Sequence, residues 1–121
     1  MKFLYVDSVQ IVLNNILWGM LEVGLDVERA SIKVDIFNSS EDVILKIIDE
    51  LKDYDMAVSQ NFIPDLAEAC HRVNKKYISW VYDSPQVALF NKVAYYETNY
   101  IFMFDEAGAN MLNKKGIKVY Y

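Results

Sequence analysis

The sequence predicts an α/β domain of three layers built on a mainly parallel sheet of about six strands. Short apolar runs alternate with segments of helical spacing from one end of the chain to the other. No linker, low-complexity tract or internal repeat interrupts them, so residues 1–121 read as a single Rossmann-like domain. Three apolar runs also stop abruptly at polar residues beside a helix start: Ser59-Gln60-Asn61-Phe62-Ile63-Pro64, Trp80-Val81-Tyr82-Asp83-Ser84-Pro85 and Phe102-Met103-Phe104-Asp105. Strands of a parallel sheet present a binding edge in this way.

Phe3 to Val6 is the first strand. Val9, Val12, Leu13, Ile16, Leu17 and Met20 then recur at steps of three and four, the pattern of an amphipathic helix, until Gly24 ends it. Ile32 to Phe37 reads as the second strand, although Val27 is an alternative start, and the Asn38-Ser39-Ser40-Glu41-Asp42 cluster caps the next helix. Val43, Ile44, Ile47, Ile48 and Leu51 form that helix's buried face. Met56 to Ser59 is a third strand, and Pro64 suits the first turn of a helix whose core side is Leu66, Cys70 and Val73. Tyr77 to Tyr82 is the fourth strand, followed by a helix from about Pro85. Tyr100 to Phe104, a short helix over Ala107 to Asn113, a stop at Gly116 and a strand over Ile117 to Tyr120 complete the pattern. Such alternation predicts a parallel sheet covered on both faces.

Composition narrows the function. The net charge is -5 and the only arginines are Arg29 and Arg72, so the basic surface that offsets nucleic-acid phosphates is missing. No apolar run approaches the roughly 18 residues of a membrane span, and Asp7 interrupts the first apolar stretch too early for a signal peptide. With Cys70 as the single cysteine, a reducing, cytoplasmic location is expected. Nine tyrosines and two tryptophans exceed what so small a core hides easily, and such rings serve interfaces well, including those of a homo-oligomer. Core burial is nevertheless the expectation for Trp18.

No catalytic motif stands out. The four glycines make neither G-x-G-x-x-G nor a P-loop, and Cys70 and His71 point in different directions around a helix, so they cannot chelate one ion. No cofactor or metal site is expected in this chain. A phosphoacceptor receiver shares the architecture, but its acidic pair, phosphoacceptor and lysine are lacking here. Asp7, Asp83 and Asp105 each follow an apolar strand and would converge if their strands were neighbours, where one could take a proton from a sugar hydroxyl. Helix capping is the competing role for Asp83, Ser84 and, above all, Asp105.

The three strand-end segments, with Cys70 and Lys76-Tyr77-Ile78-Ser79 between them and Asn99-Tyr100-Ile101 before the last, resemble one family in order and spacing. This is the N-terminal domain, a domain of unknown function, that precedes a group 1 glycosyltransferase domain in CgeB-like spore-maturation proteins. The resemblance covers Asp55 to Asp105 well and the beginning in outline. It implies the acceptor-side half of a GT-B enzyme, with a sugar or glycan acceptor facing Asn61, Asp83, Ser84 and Asp105 and with Asp83 as the candidate catalytic group. The nucleotide-sugar donor would bind a C-terminal domain that this chain lacks, so the chain alone is expected to be inactive. A non-enzymatic Rossmann-like binding or oligomerisation module is the alternative.

Overall fold

The computed structural model describes residues 1–11, 14–82, 89 and 91–121. The strands are β1 (Lys2–Ser8), β2 (Asp26–Val34), β3 (Met56–Gln60), β4 (Lys76–Val81), β5 (Asn99–Met103) and β6 (Val119–Tyr120). The helices are α1 (Asn15–Glu22), α2 (Glu41–Leu51), α3 (Pro64–Val73) and α4 (Glu106–Lys114), with a 3-10 turn over Lys92–Tyr95. All strand pairings are parallel, in the order β2-β1-β3-β4-β5-β6. This is the predicted α/β, Rossmann-like class in its flavodoxin-like strand order, whose direction of winding reverses between β1 and β3.

Local chemistry explains the elements. Ser40 caps α2, accepting the Val43 N–H at 3.4 Å, and Glu41 and Asp42 sit in the first turn, where the helix dipole favours carboxylates. Pro64 opens α3, where its missing N–H costs nothing, and Asn74 closes it in the left-handed conformation at φ 54°. Two elements differ from the prediction. The first helix is shorter, beginning at Asn15, with Val9 exposed in the preceding turn and residues 12 and 13 outside the described residues. The second strand runs from Asp26 to Val34, beside the alternative start at Val27 rather than from Ile32, and it stops before the exposed Phe37; as an edge strand it exposes Glu28, Arg29 and Ser31, a polarity that weakens its apolar signal. The helix expected from Pro85 falls on residues 83–88 and 90, outside the described residues.

The two faces of the sheet are unequal. On one, α2, α3, the 3-10 turn and α4 enclose the main core, with Ile47, Leu51, Ala57, Phe62, Leu66, Cys70, Tyr77 and Ile101 fully buried. On the other, α1 places Leu17 against Tyr5, Val27 and Val58, with Phe3, Ile16, Met20 and Ile78 at the margin. Among the described residues no helix covers the β4–β6 half of that second face, which departs from the expectation of a sheet covered throughout. Trp18 is also a correction: it is 70% exposed, because α1 buries only the Leu17 side of its short length.

Candidate functional site

The carboxyl ends of β3, β4 and β5 lie side by side, as the pairings Gln60↔Trp80 and Trp80↔Phe102 require. The three strands that lead into the segments singled out in the sequence therefore do end on one rim. Several of its polar groups turn inward. Asn61 has φ 62°, the left-handed conformation that asparagine tolerates better than most residues, and is only 4% exposed. Its N–H donates to the Trp80 carbonyl at 2.6 Å, and its side-chain Oδ1 accepts the Tyr82 N–H at 2.8 Å. The turn after β3 is thus fastened to the end of β4.

A buried circuit supports the same turn. Tyr77 Oη accepts the Ile63 N–H at 2.9 Å and bonds to Ser59 Oγ, while the Ser59 hydroxyl donates to the Asn61 carbonyl at 2.6 Å. Complete burial raises the Tyr77 pKa, so the group stays a neutral phenol. Ser59 and Asn61, polar in the sequence at a strand end, serve here to satisfy backbone groups that the sharp corner would strand.

Asp105 takes the N-cap position of α4, as expected, but its side chain makes no capping hydrogen bond. The carboxylate lies over the first turn, where the lack of a side chain at Gly108 leaves room: a Cβ there would come within 2.7 Å of Asp105 Oδ2. Asp83 and Ser84 lie outside the described residues. Asp7 does not join this group. Strand β3 separates β1 from β4, and Asp7 pairs instead with Arg29, which reaches it from β2 through Nε at 2.7 Å and Nη2 at 3.2 Å. With its amide oriented so that each donor meets an acceptor, Asn14 donates to Asp7 at 2.8 Å and to Tyr5 Oη at 3.2 Å and accepts from Arg29 at 2.6 Å. Burial, helped by the Asp7 charge, pushes the Tyr5 phenol up to about 12.

A cleft of about 310 Å³ opens between the first turns of α2 and α3 and the 3-10 turn, lined by Ser39, Asp65, Glu68, Arg72, Asn91 and Lys92 among others. Asp65 is 3% exposed and accepts the Ser39 hydroxyl at 2.6 Å and the Ser40 N–H at 3.1 Å. Arg72 forms a two-point pair with Glu41 at 2.6 and 2.9 Å and donates to Glu68 at 2.9 Å. The Arg72 hydrogen bonds hold the Glu41 carboxyl below its usual range. For Glu68, partial burial pushes upward, but hydrogen bonds from Tyr96 and Arg72 prevail and lower it. Sequence reasoning missed this cleft; the signal was Asp65 directly after Pro64, an acidic residue in a helix's first turn.

Cys70 is fully buried and His71 lies on the helix surface, stacked on Tyr96 at 3.7 Å, as their adjacency on a helix requires. Among the described residues no group of three or more histidines, cysteines or carboxylates is placed to hold a metal ion. None of the described helices is long and apolar enough to cross a membrane. No protein-family model matches the chain, and no curated protein matches it.

Proposed function

We propose that this domain is the acceptor-side half of a two-domain glycosyltransferase, holding a hydroxyl-rich sugar or glycan at the carboxyl edge of its sheet. The observation that carries the reading is the cleft beside the first turns of α2 and α3, where three carboxylates, the Ser39 hydroxyl, the Asn91 amide and the Lys92 ammonium meet in about 310 Å³. Sugars are recognised by such mixed donors and acceptors, and open α/β sheets bind ligands beyond their strand ends. The resemblance of the three strand-end segments to the CgeB-like N-terminal domain agrees with this. In this reading Asn61 positions the rim, Asp105 and Ser84 face the acceptor, and Asp83, directly after Tyr82 at the end of β4, accepts the proton of the attacking hydroxyl.

The donor nucleotide-sugar belongs on a separate C-terminal domain. Transfer requires stabilisation of a departing diphosphate. Both arginines of the chain are engaged by carboxylates, Arg29 by Asp7 and Arg72 by Glu41 and Glu68. The first check is whether the reading frame continues into a nucleotide-sugar-binding domain. In the protein carrying both domains, Asp83→Ala is expected to abolish most transfer from a nucleotide-sugar panel while leaving the melting temperature unchanged. Transfer that survives at the unsubstituted rate would remove Asp83 and this reading of the rim.

The second reading, a non-enzymatic binding or pairing module, is favoured by one specific observation: the half of the sheet face that no described helix covers. A natural stop after Tyr121 would favour it.

A further inference from the structure

The half-face that no described helix covers is aromatic and regular. Trp80, Phe102 and Tyr120 form one row across β4, β5 and β6, as register partners with ring centroids 5.0 and 5.2 Å apart and planes 19° and 27° from parallel. Tyr82 and Phe104 make a second row at 4.9 Å and 25°. These spacings match the roughly 4.8 Å between strands, so the rings stand on edge like cards and turn their faces to one another. Planar ligands such as bases or sugar rings need open faces; a row of ring edges is instead a ribbed apolar surface suited to aliphatic side chains. Beside it a recess of about 150 Å³, lined by Met56, Lys76, Ile78, Tyr100 and Phe102, has room for an apolar side chain.

Charge and size narrow the occupant. Lys76 begins β4 and Lys118 immediately precedes β6, so both ammonium groups stand at the amino ends of the strands, 5.6 and 5.0 Å from the centroid of the Tyr100 ring. The area from β4 to β6 is about 10 Å wide and about 20 Å long along β4 at standard strand dimensions, a footprint of roughly 200 Å². A stable pair of identical chains ordinarily buries about 800 Å² on each. One helix, about 10–12 Å across and about 13 residues long, fits the area directly.

We infer that the β4–β6 half of this face docks an amphipathic helix of a partner polypeptide, apolar along one stripe and acidic toward its carboxyl end, lying antiparallel to the strands. In that direction the negative end of the helix dipole and its carboxylates meet Lys76 and Lys118. The packing restores the layer that all-parallel sheets carry on both faces. The inference stands independently of any sugar-transfer role.

The test uses the 121-residue chain and two synthetic 18-residue Leu/Ala/Gln helices that differ only in ending in Glu or in Lys. Amide NMR titration is expected to move the resonances of Trp80, Phe102 and Tyr120 with the Glu peptide, which binds about fivefold more tightly than the Lys peptide, as expected of an exposed charge pair. Lys118→Glu, on the surface and harmless to the core, is expected to reverse that preference, and Tyr82→Ser with Phe104→Ser to weaken both peptides while the fold is kept. Shifts elsewhere, equal affinity for the two peptides, or a dimer that buries these rings would overturn the inference. So would displacement of the peptide by maltose or a nucleoside monophosphate.

Discussion

The side-chain oxygen of Asn61 accepts the backbone N–H of Tyr82 at 2.8 Å, tying the corner after β3 to the exit of β4. Asn61 adopts φ 62° to make that bond. Replacement by alanine therefore removes an acceptor from a partly buried N–H and forces a Cβ-bearing residue without local compensation into the left-handed region. Asn61→Ala is expected to lower stability by about 2–3 kcal/mol. Asn61→Gly, which relieves the backbone but not the lost bond, is expected to lose about half as much. Urea titration of both variants measures the difference, and equal losses would show that backbone conformation contributes nothing at this corner.

Tyr77→Phe probes the circuit behind it. The substitution keeps the ring packed against Phe62, centroids 5.8 Å apart, but leaves the buried Ile63 N–H unmatched. A loss of about 1–3 kcal/mol is expected from the removal of one oxygen atom. Ser59→Ala should lose less, because Tyr77 still accepts from Ile63. A Tyr77→Phe protein as stable as the parent would show that solvent reaches the site.

Alkaline pH should unfold the domain through buried acids. Burial pushes the Cys70 thiol from 9.0 up to about 12, and the Tyr5 phenol from 10.0 up to about 12. Both groups prefer their neutral form when folded, so their contribution is complete below the unfolded values and declines as pH climbs toward the folded ones. Stability is expected to hold to about pH 9 and to fall by a few kcal/mol by pH 12, because each group in its titration range removes about 1.4 kcal/mol for every tenfold drop in proton concentration. Cys70→Ala should delay the onset to about pH 10, where tyrosine begins to ionise. In the native protein at about pH 8 the thiol should resist Ellman's reagent and react only on unfolding.

Trp18→Ser should be nearly silent. The ring is 70% exposed on α1, and surface changes of this kind ordinarily move stability by less than about 0.5 kcal/mol. A loss above about 2 kcal/mol would place Trp18 in a packed environment. Its removal also leaves Trp80 as the sole tryptophan, a fluorescence reporter for the aromatic row.

Elements with local signals were legible from the residues alone. The polar cluster from Asn38 to Asp42, within which the structure makes Ser40 the cap, and Pro64 before an apolar helix are starts that side-chain chemistry writes into a few neighbouring positions. The parallel order of the rim was legible too, because short apolar runs ending in polar residues have few other uses. What stayed hidden depended on tertiary neighbours. Strand β2 carries Glu28 and Arg29 outward because it lies at an edge, and its polarity imitates a loop. Asn61 looked like a ligand group because nothing in its own segment reveals a positive φ or a partner 21 residues away. That rings would be left for an interface was legible from their number, but not where they lie: in β4, Ser79 and Val81 point to the main core while Trp80 points away, an inversion of the usual allotment of large rings to the interior.

The two borders of the sheet differ from its open face in a way that bears on behaviour in concentrated solution. Strand β6 is only two residues long, and β2, the opposite border, is studded with exposed Asp26, Glu28, Arg29 and Lys33. Strand β2 is a poor template for adding a foreign strand, since it offers a fence of charge. Growth into fibrils by strand addition is therefore opposed at the β2 border.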